Sequence, residues 1–238
     1  MTSRVALVLS GGGLFGAWQA GAWRALSSWL RPDLVIGASV GALNGYAIAS
    51  GADPDELAEL WLRPGFADLK NLPVTIRSLM DRYTLRTGYA VVLTDLFRMR
   101  PKVIHGAGVT WRHLAASCAI PGVLPHHKIG GIRYVDGGLL NPLPVWAAVD
   151  LGATRIVALN ALPEIPSAWL RPLARGFRRV AGYHPPIAPG VELLTIAPSG
   201  PLGSLSDALR WRRDNIERWL DLGYRASQNI SISDCIER

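Results

Sequence analysis

Residues 36–45 read IGASVGALNG and constrain the fold more than any other stretch of the chain. The run before them, Leu34-Val35-Ile36, is short and apolar, as expected of a buried strand. Residues 42–50 have helix-forming composition and stop at Gly51. Between the two, Gly37-Ala38-Ser39-Val40-Gly41 fits G-x-S-x-G. Strand, serine, helix is the context of a nucleophile elbow, in which a sharp turn lifts the serine out of the sheet. Gly37 and Gly41 leave room for the tight backbone, and the helix N-terminus beside Ser39 favours developing negative charge. Five residues with three fixed positions also arise without catalysis, so the elbow needs partners elsewhere in the chain.

A second turn of this kind lies upstream. Residues 5–9 read as a strand, followed by Ser10-Gly11-Gly12-Gly13-Leu14-Phe15-Gly16 and a helix with Trp18, Ala22, Ala25, Leu26 and Trp29 on a 3.6-residue stripe. Gly11-x-Gly13-x-x-Gly16 matches the dinucleotide fingerprint in form. That site also needs an acidic residue after the second strand, however, and Asp33 lies before it. The alternative use of such a turn is to aim backbone N–H groups at an anion. If Ser39 attacks a carbonyl, the oxyanion needs those donors, and adjacent strands would set Gly12 and Gly13 beside Ser39.

Further on, residues 53–62 read as a helix with Asp53 as N-cap and Pro54 at its first position. Residues 63–73 read as loop, and 74–88 as helical at best over 74–80. Strands are expected at 90–93, 102–104, 132–135, 154–159 and 191–196. Helices are expected at 110–119 and 142–150, and a closing helix at 206–227 with Leu205, Leu209, Ile216 and Leu220 on one face. The strand at 132–135 ends in Asp136-Gly137-Gly138, a carboxylate on a turn, where it is free to face a pocket.

Ser39 needs a proton acceptor. Of the five histidines only His184 follows Asp136, as the order Ser, Asp, His of α/β-hydrolases requires. A Ser39–Asp136–His184 triad and a Ser39–Asp136 dyad both remain open on this reasoning. A dyad would rely on exclusion of water and a strong oxyanion hole, because an ordinary Asp is a weak base.

Four blocks together resemble the patatin-like phospholipases: Gly11 to Gly16, Gly37 to Gly41, Ala116-Ser117-Cys118-Ala119-Ile120-Pro121, and Asp136-Gly137-Gly138 with the residues through Pro144. They occur in the family's order within residues 4–160, and 161–238 match only loosely. The resemblance implies Ser39 as nucleophile, Asp136 as base and backbone N–H groups of Gly11, Gly12 and Gly13 as the oxyanion hole. Gly16, Gly37, Gly41, Gly137 and Gly138 then support the motifs, and His184 is not the base. The family's glycine block carries Arg or Lys before its last glycine; here that position is Phe15, so any help from that cation is missing.

The reading is one domain over 1–238, a three-layer α/β/α sandwich with a mainly parallel central sheet, in which 161–238 complete the sheet and the closing helix. The function expected is hydrolysis of phospholipid or other acyl-ester lipids, without metal or organic cofactor. An esterase or thioesterase for small soluble acyl substrates, and a non-catalytic lipid-binding scaffold, are the alternatives. The net charge of +7 points to anionic partners, but no Lys/Arg block interleaved with aromatics indicates nucleic acid. Peripheral membrane contact is expected through residues 169–182 (Trp169 to Gly182) and Trp211. Wound as a helix, that stretch sets Leu173, Phe177 and Val180 opposite Arg175, Arg178 and Arg179. Cys118 and Cys235 have no ligand spacing and are expected to be reduced. The apolar run at the N-terminus is too short for a signal peptide and no run reaches a membrane span, so a cytoplasmic protein, peripheral at a membrane, is expected.

Overall fold

The computed structural model describes residues 3–67, 71–163, 185–187 and 189–231. Among these residues eight strands form one mixed sheet: β1 (Val5–Leu9), β2 (Leu34–Ala38), β3 (Gly88–Asp95), β4 (Arg100–His105), β5 (His127–Ile129), β6 (Ile132–Val135), β7 (Arg155–Leu159) and β8 (Glu192–Ile196). β3, β2, β1, β7 and β8 run parallel in that order, while β4, β5 and β6 pair antiparallel. Among the described residues the α-helices are α1 (Gly16–Leu26), α2 (Val40–Ala49), α3 (Pro54–Leu62), α4 (Leu72–Arg82), α5 (Trp111–Ser117), α6 (Val145–Asp150) and α7 (Arg213–Ser227).

Successive strand residues face opposite sides, and this alternation separates two cores. Leu7, Leu9, Val35, Tyr89, Val91 and Leu93 pack under α1, α2, α3, α4, α5 and α7. Ala6, Val8, Ile36, Ala38, Ala90 and Val92 pack against α6. The result is the three-layer sandwich the sequence led us to expect.

β3 brings the site together. Along one edge it pairs with β4 from Ala90↔His105 to Asp95↔Arg100. Along the other it pairs first with β2, ending at Ala38↔Val92, and then with β6 at Thr94↔Val135 and Asp95↔Tyr134. β2 and β6 approach the level of Leu93 from opposite directions, and each stops one residue short. The next residues are Ser39 and Asp136.

α1 and α7 cross backbone to backbone. A Cβ on Gly21 would overlap the Leu220 carbonyl, and one on Gly223 would overlap the Trp18 carbonyl. Helix propensity alone favours alanine over glycine by about 1 kcal/mol. Gly223→Ala should nevertheless destabilise the protein by about 2–3 kcal/mol, because the helices must move apart. Thermal unfolding checks this; a raised Tm would mean that the crossing is looser than described.

Four expectations change. α2 begins at Val40, directly after Ser39, and α4 begins at Leu72, inside the stretch read as loop. A short strand, β5, precedes β6 and closes a hairpin at Gly130-Gly131 that the sequence reading lacked. The closing helix starts at Arg213, not at 206. Before it, the amide and hydroxyl of Ser204 both donate to Asp207 Oδ2 (2.9 and 2.7 Å), and the Asp207 amide donates to Ser204 Oγ (3.2 Å). Such side-chain bonding competes with helix formation, and Arg212 is extended (φ −140°, ψ 126°). Ile216 and Leu220 are buried as expected, but Leu205 and Leu209 leave that stripe and are partly exposed.

Candidate active site

Ser39 joins β2 to α2 with φ 55° and ψ −131°, a conformation that L-residues avoid and that costs on the order of 1–3 kcal/mol. The neighbouring glycines make the turn possible by close approach. A Cβ on Gly37 would overlap the Gly41 carbonyl, and one on Gly41 would lie 2.5 Å from the Leu9 and Ser10 carbonyl oxygens. The Ser39 amide donates to Ser117 Oγ (2.8 Å), and Ser117 Oγ donates to the Val92 carbonyl (2.7 Å).

Asp136 follows β6 and is buried. Its amide donates to the Ala119 carbonyl (3.0 Å), and the Thr94 hydroxyl donates to its carbonyl (2.9 Å). The Gly138 amide donates to Oδ1 (2.7 Å), while Oδ2 is buried without a hydrogen-bond partner. Burial pushes the pKa of Asp136 from 3.8 up to about 6, and the nearby Ser39 hydroxyl and the Gly138 amide oppose that rise. The Ser39 contact is looser than a formed hydrogen bond. A carboxyl that releases its proton near neutrality is a far better base than an ordinary Asp.

Ser117 holds both halves of this pair. Besides binding the Ser39 amide, it accepts the Gly137 amide through its own carbonyl (3.1 Å). Gly137 leaves no space for a side chain, since a Cβ there would overlap the Val92 carbonyl. Ser117→Ala would leave the buried Ser39 amide and Val92 carbonyl without their shared partner. It should destabilise the fold by about 1–3 kcal/mol and lower kcat by roughly 10–100-fold through misplacement of Ser39. Steady-state kinetics with urea unfolding check both; an unchanged kcat would deny Ser117 a positioning role.

The glycine loop needs one correction. The Gly11 amide is already used, donating to the Pro142 carbonyl (2.9 Å), so it is not available to an oxyanion. Gly11 instead allows contact: a Cβ there would lie 3.3 Å from Ser39 Cβ. The amides of Gly12 and Gly13 donate to nothing among the described residues. Gly13 has φ 58° and lies against the Ala208 carbonyl, which accepts the Leu14 amide (2.9 Å). Gly16 opens α1 so close to Val40 and Trp61 that a side chain would not fit. Asp33 is committed to the Val5 amide (2.8 Å) at the other end of β1, far along the strands from the glycine loop.

Ser39, Asp136, Gly12 and Gly13 line one cavity of about 430 Å³ whose other walls include Ile120, Leu139, Leu162 and Leu209. It is a mainly apolar space whose polar lining includes the Ser39 side chain, the Asp136 carboxyl and the glycine loop. The Cys118 thiol also lies near Ser39 in an adjoining crevice, and burial pushes its pKa well up, so it stays protonated.

Behind the loop runs a buried polar chain that no local motif announces. Gln19 Nε2 donates to the Ser10 carbonyl (2.8 Å), and Asn44 Nδ2 donates to Gln19 Oε1 (3.0 Å) and the Gly16 carbonyl (2.8 Å). Trp61 Nε1 donates to Asn44 Oδ1 (2.9 Å), and Trp211 Nε1 donates to the Trp61 carbonyl (3.1 Å). Both ends of the glycine loop are thus tied to α1 and α2, and Trp211 is pinned at the end of α3.

The family model "Patatin-like phospholipase" matches residues 7–149, which include Ser39, Asp136 and the glycine loop. The chain belongs to the patatin-like phospholipase family. Similar relatives are Patatin-like phospholipase domain-containing protein 7 of Rattus norvegicus (28% identical over 66% of this chain) and Lysophospholipase nte1 of Aspergillus oryzae (28% over 66%). Patatin-like phospholipase domain-containing protein 6 of Homo sapiens is 30% identical, also over 66% of this chain. The match spans 13%, 12% and 13% of those three proteins, so the chain resembles about an eighth of each. The crystal structure of VipD from Legionella pneumophila superposes with a TM-score of 0.58 at 14% identity, covering 94% of this chain and 66% of that one. That likeness is one of fold.

Within this patatin-like frame, Phe15, where the resemblance implies a basic residue, has a packing role. It is buried and meets Trp219 of α7 edge to face, with centroids 5.0 Å apart and planes at 88°. His184 and the stretch 169–182 lie outside the described residues. No described helix is long and apolar enough to cross a membrane.

Proposed function

We propose that the whole chain acts as one hydrolase domain on acyl-ester lipids through Ser39 and Asp136. The observation that carries this is the presence, in the lining of one apolar cavity, of a serine on a strained elbow and a buried carboxyl whose pKa is raised to about 6. Ser39 Oγ bonds to the ester carbonyl carbon as its proton passes to Asp136. The amides of Gly12 and Gly13, with the first amide of α2 at Val40, hold the oxyanion. Collapse breaks the ester C–O bond, and the departing alcohol takes the proton from Asp136. Water then attacks the acyl-Ser39 ester, Asp136 accepts its proton and returns one to Ser39 Oγ, and a fatty acid leaves. The apolar walls suit an acyl chain, and one relative is named a lysophospholipase. Membrane contact belongs to this reading too, through residues 169–182 and Trp211 by their sequence.

Hydrolysis of lysophosphatidylcholine across its micelle threshold, beside a short soluble nitrophenyl ester, tests the substrate class. The expected result is turnover of the lipid that climbs above the threshold. Turnover of the soluble ester alone would favour a small-molecule esterase, and turnover of neither a scaffold.

A further inference from the structure

Scattered exposed apolar side chains are normal on a soluble surface. Three here are not scattered: Val123 (45% exposed), Leu205 (39%) and Leu209 (39%) all line the mouth of the Ser39 cavity. Leu205 and Leu209 come from the turn that interrupts the expected closing helix, and Val123 comes from the loop after α5. The turn is not a loose flap. Ser204 and Asp207 lock it through reciprocal bonds, and its Ala208 carbonyl accepts the Leu14 amide next to Gly13. One face of the turn thus braces the glycine loop, while the other presents leucines to solvent.

Charge next to the leucines has one sign in excess. Arg210 and Arg212 are exposed and flank Trp211. Arg210 has no carboxylate partner among the described residues. The nearby Asp207 carboxylate is consumed inside the turn; the Ser204 hydroxyl and amide hold its pKa down, with Arg212 adding to the effect. The protein as a whole carries +7. Exposed apolar side chains at the mouth of an apolar cavity, with Arg210 and Arg212 following Leu209 on the same stretch, match the two layers of an anionic bilayer surface, acyl region and headgroup.

We infer that the mouth formed by Val123 and the 204–210 turn docks on an anionic lipid surface. Leu205, Leu209 and Val123 enter the acyl boundary, and Arg210 and Arg212 meet the headgroups. Because the turn also braces the glycine loop, docking sets the cavity mouth against the bilayer, in line with Ser39. The inference rests on the hydrolase reading only for the use of that alignment. Binding itself needs no turnover.

The test is co-sedimentation with vesicles of phosphatidylcholine alone or mixed with phosphatidylglycerol, done with the full chain and in a Ser39→Ala background. Ser39→Ala should bind the mixed vesicles as the wild type does, which separates docking from catalysis. Pure phosphatidylcholine should bind far more weakly. Leu205→Ser with Leu209→Ser should weaken binding by about tenfold or more. Arg210→Glu changes the local charge by two and should weaken it by about thirtyfold, with hydrolysis of a soluble ester and circular dichroism unchanged. The inference is overturned if the leucine pair and Arg210→Glu both bind as the parent does. It is also overturned if the two vesicle types bind equally, or if only Arg178→Glu with Arg179→Glu abolishes binding.

Discussion

Ser39→Ala should lower kcat/KM for ester hydrolysis by at least about four orders of magnitude while leaving the fold intact. The variant loses the atom that forms the acyl-enzyme. It keeps the Cβ, and with it the contact to Gly11. Backbone strain at φ 55° is retained, since alanine is no better suited to that conformation than serine. Unfolding stability should therefore change little, and any residual rate reports what Gly12, Gly13 and the cavity do alone. Activity within tenfold of wild type would remove Ser39 from the mechanism.

Asp136→Asn should have two large effects of opposite sign. Loss of the base should cost about 10²–10⁴ in kcat. Stability should rise at alkaline pH. The folded-state pKa of Asp136 is about 6, above the ordinary 3.8. The folded protein therefore holds this proton more tightly than the unfolded chain does. The resulting stability is fully present below about pH 4 and is lost as pH rises through about 6. Above that, the buried carboxylate weakens the fold by about 3 kcal/mol, at ~1.4 kcal/mol for each pH unit between the two values. The asparagine side chain would keep an oxygen for the Gly138 amide and carry no charge. Urea unfolding at pH 4 and pH 8 should show no difference at the first and a more stable variant at the second. In wild type, kcat/KM should climb through about pH 6 as Asp136 ionises. Equal stability at both pH values would mean that the carboxyl is better solvated than its burial implies.

The elements that the sequence announces are those whose signals are local. β1, β2 and the helices after them show in five-residue apolar runs and glycine clusters, and Asp53 caps α3 through the amides of Asp55 and Glu56 as its position predicts. The pairing of Ser39 with Asp136 is different. It depends on β3 outrunning β2 and offering its last two residues to β6, a register that no pattern within either strand encodes. The occupied amide of Gly11 likewise depends on the Pro142 carbonyl, about 130 residues away in the chain. The helix predicted from 206 failed because Leu205, Leu209, Ile216 and Leu220 keep helical spacing, while Ser204 and Asp207 bond to each other and hold a turn. Gln19 and Asn44 fit no motif; each is an amide side chain in a mostly apolar helix, and the structure buries both at 0% exposure.

The most direct measurement is the rate of covalent labelling by a fluorophosphonate, with the modified peptide identified by mass spectrometry, in wild type, Ser39→Ala, Asp136→Asn and His184→Ala. Wild type should be labelled at Ser39 and Ser39→Ala should not; Asp136→Asn should be at least about a hundredfold slower, and His184→Ala should keep the wild-type rate. Labelling that ignores Asp136, or that disappears in a folded His184→Ala protein, would contradict the Ser39–Asp136 pair.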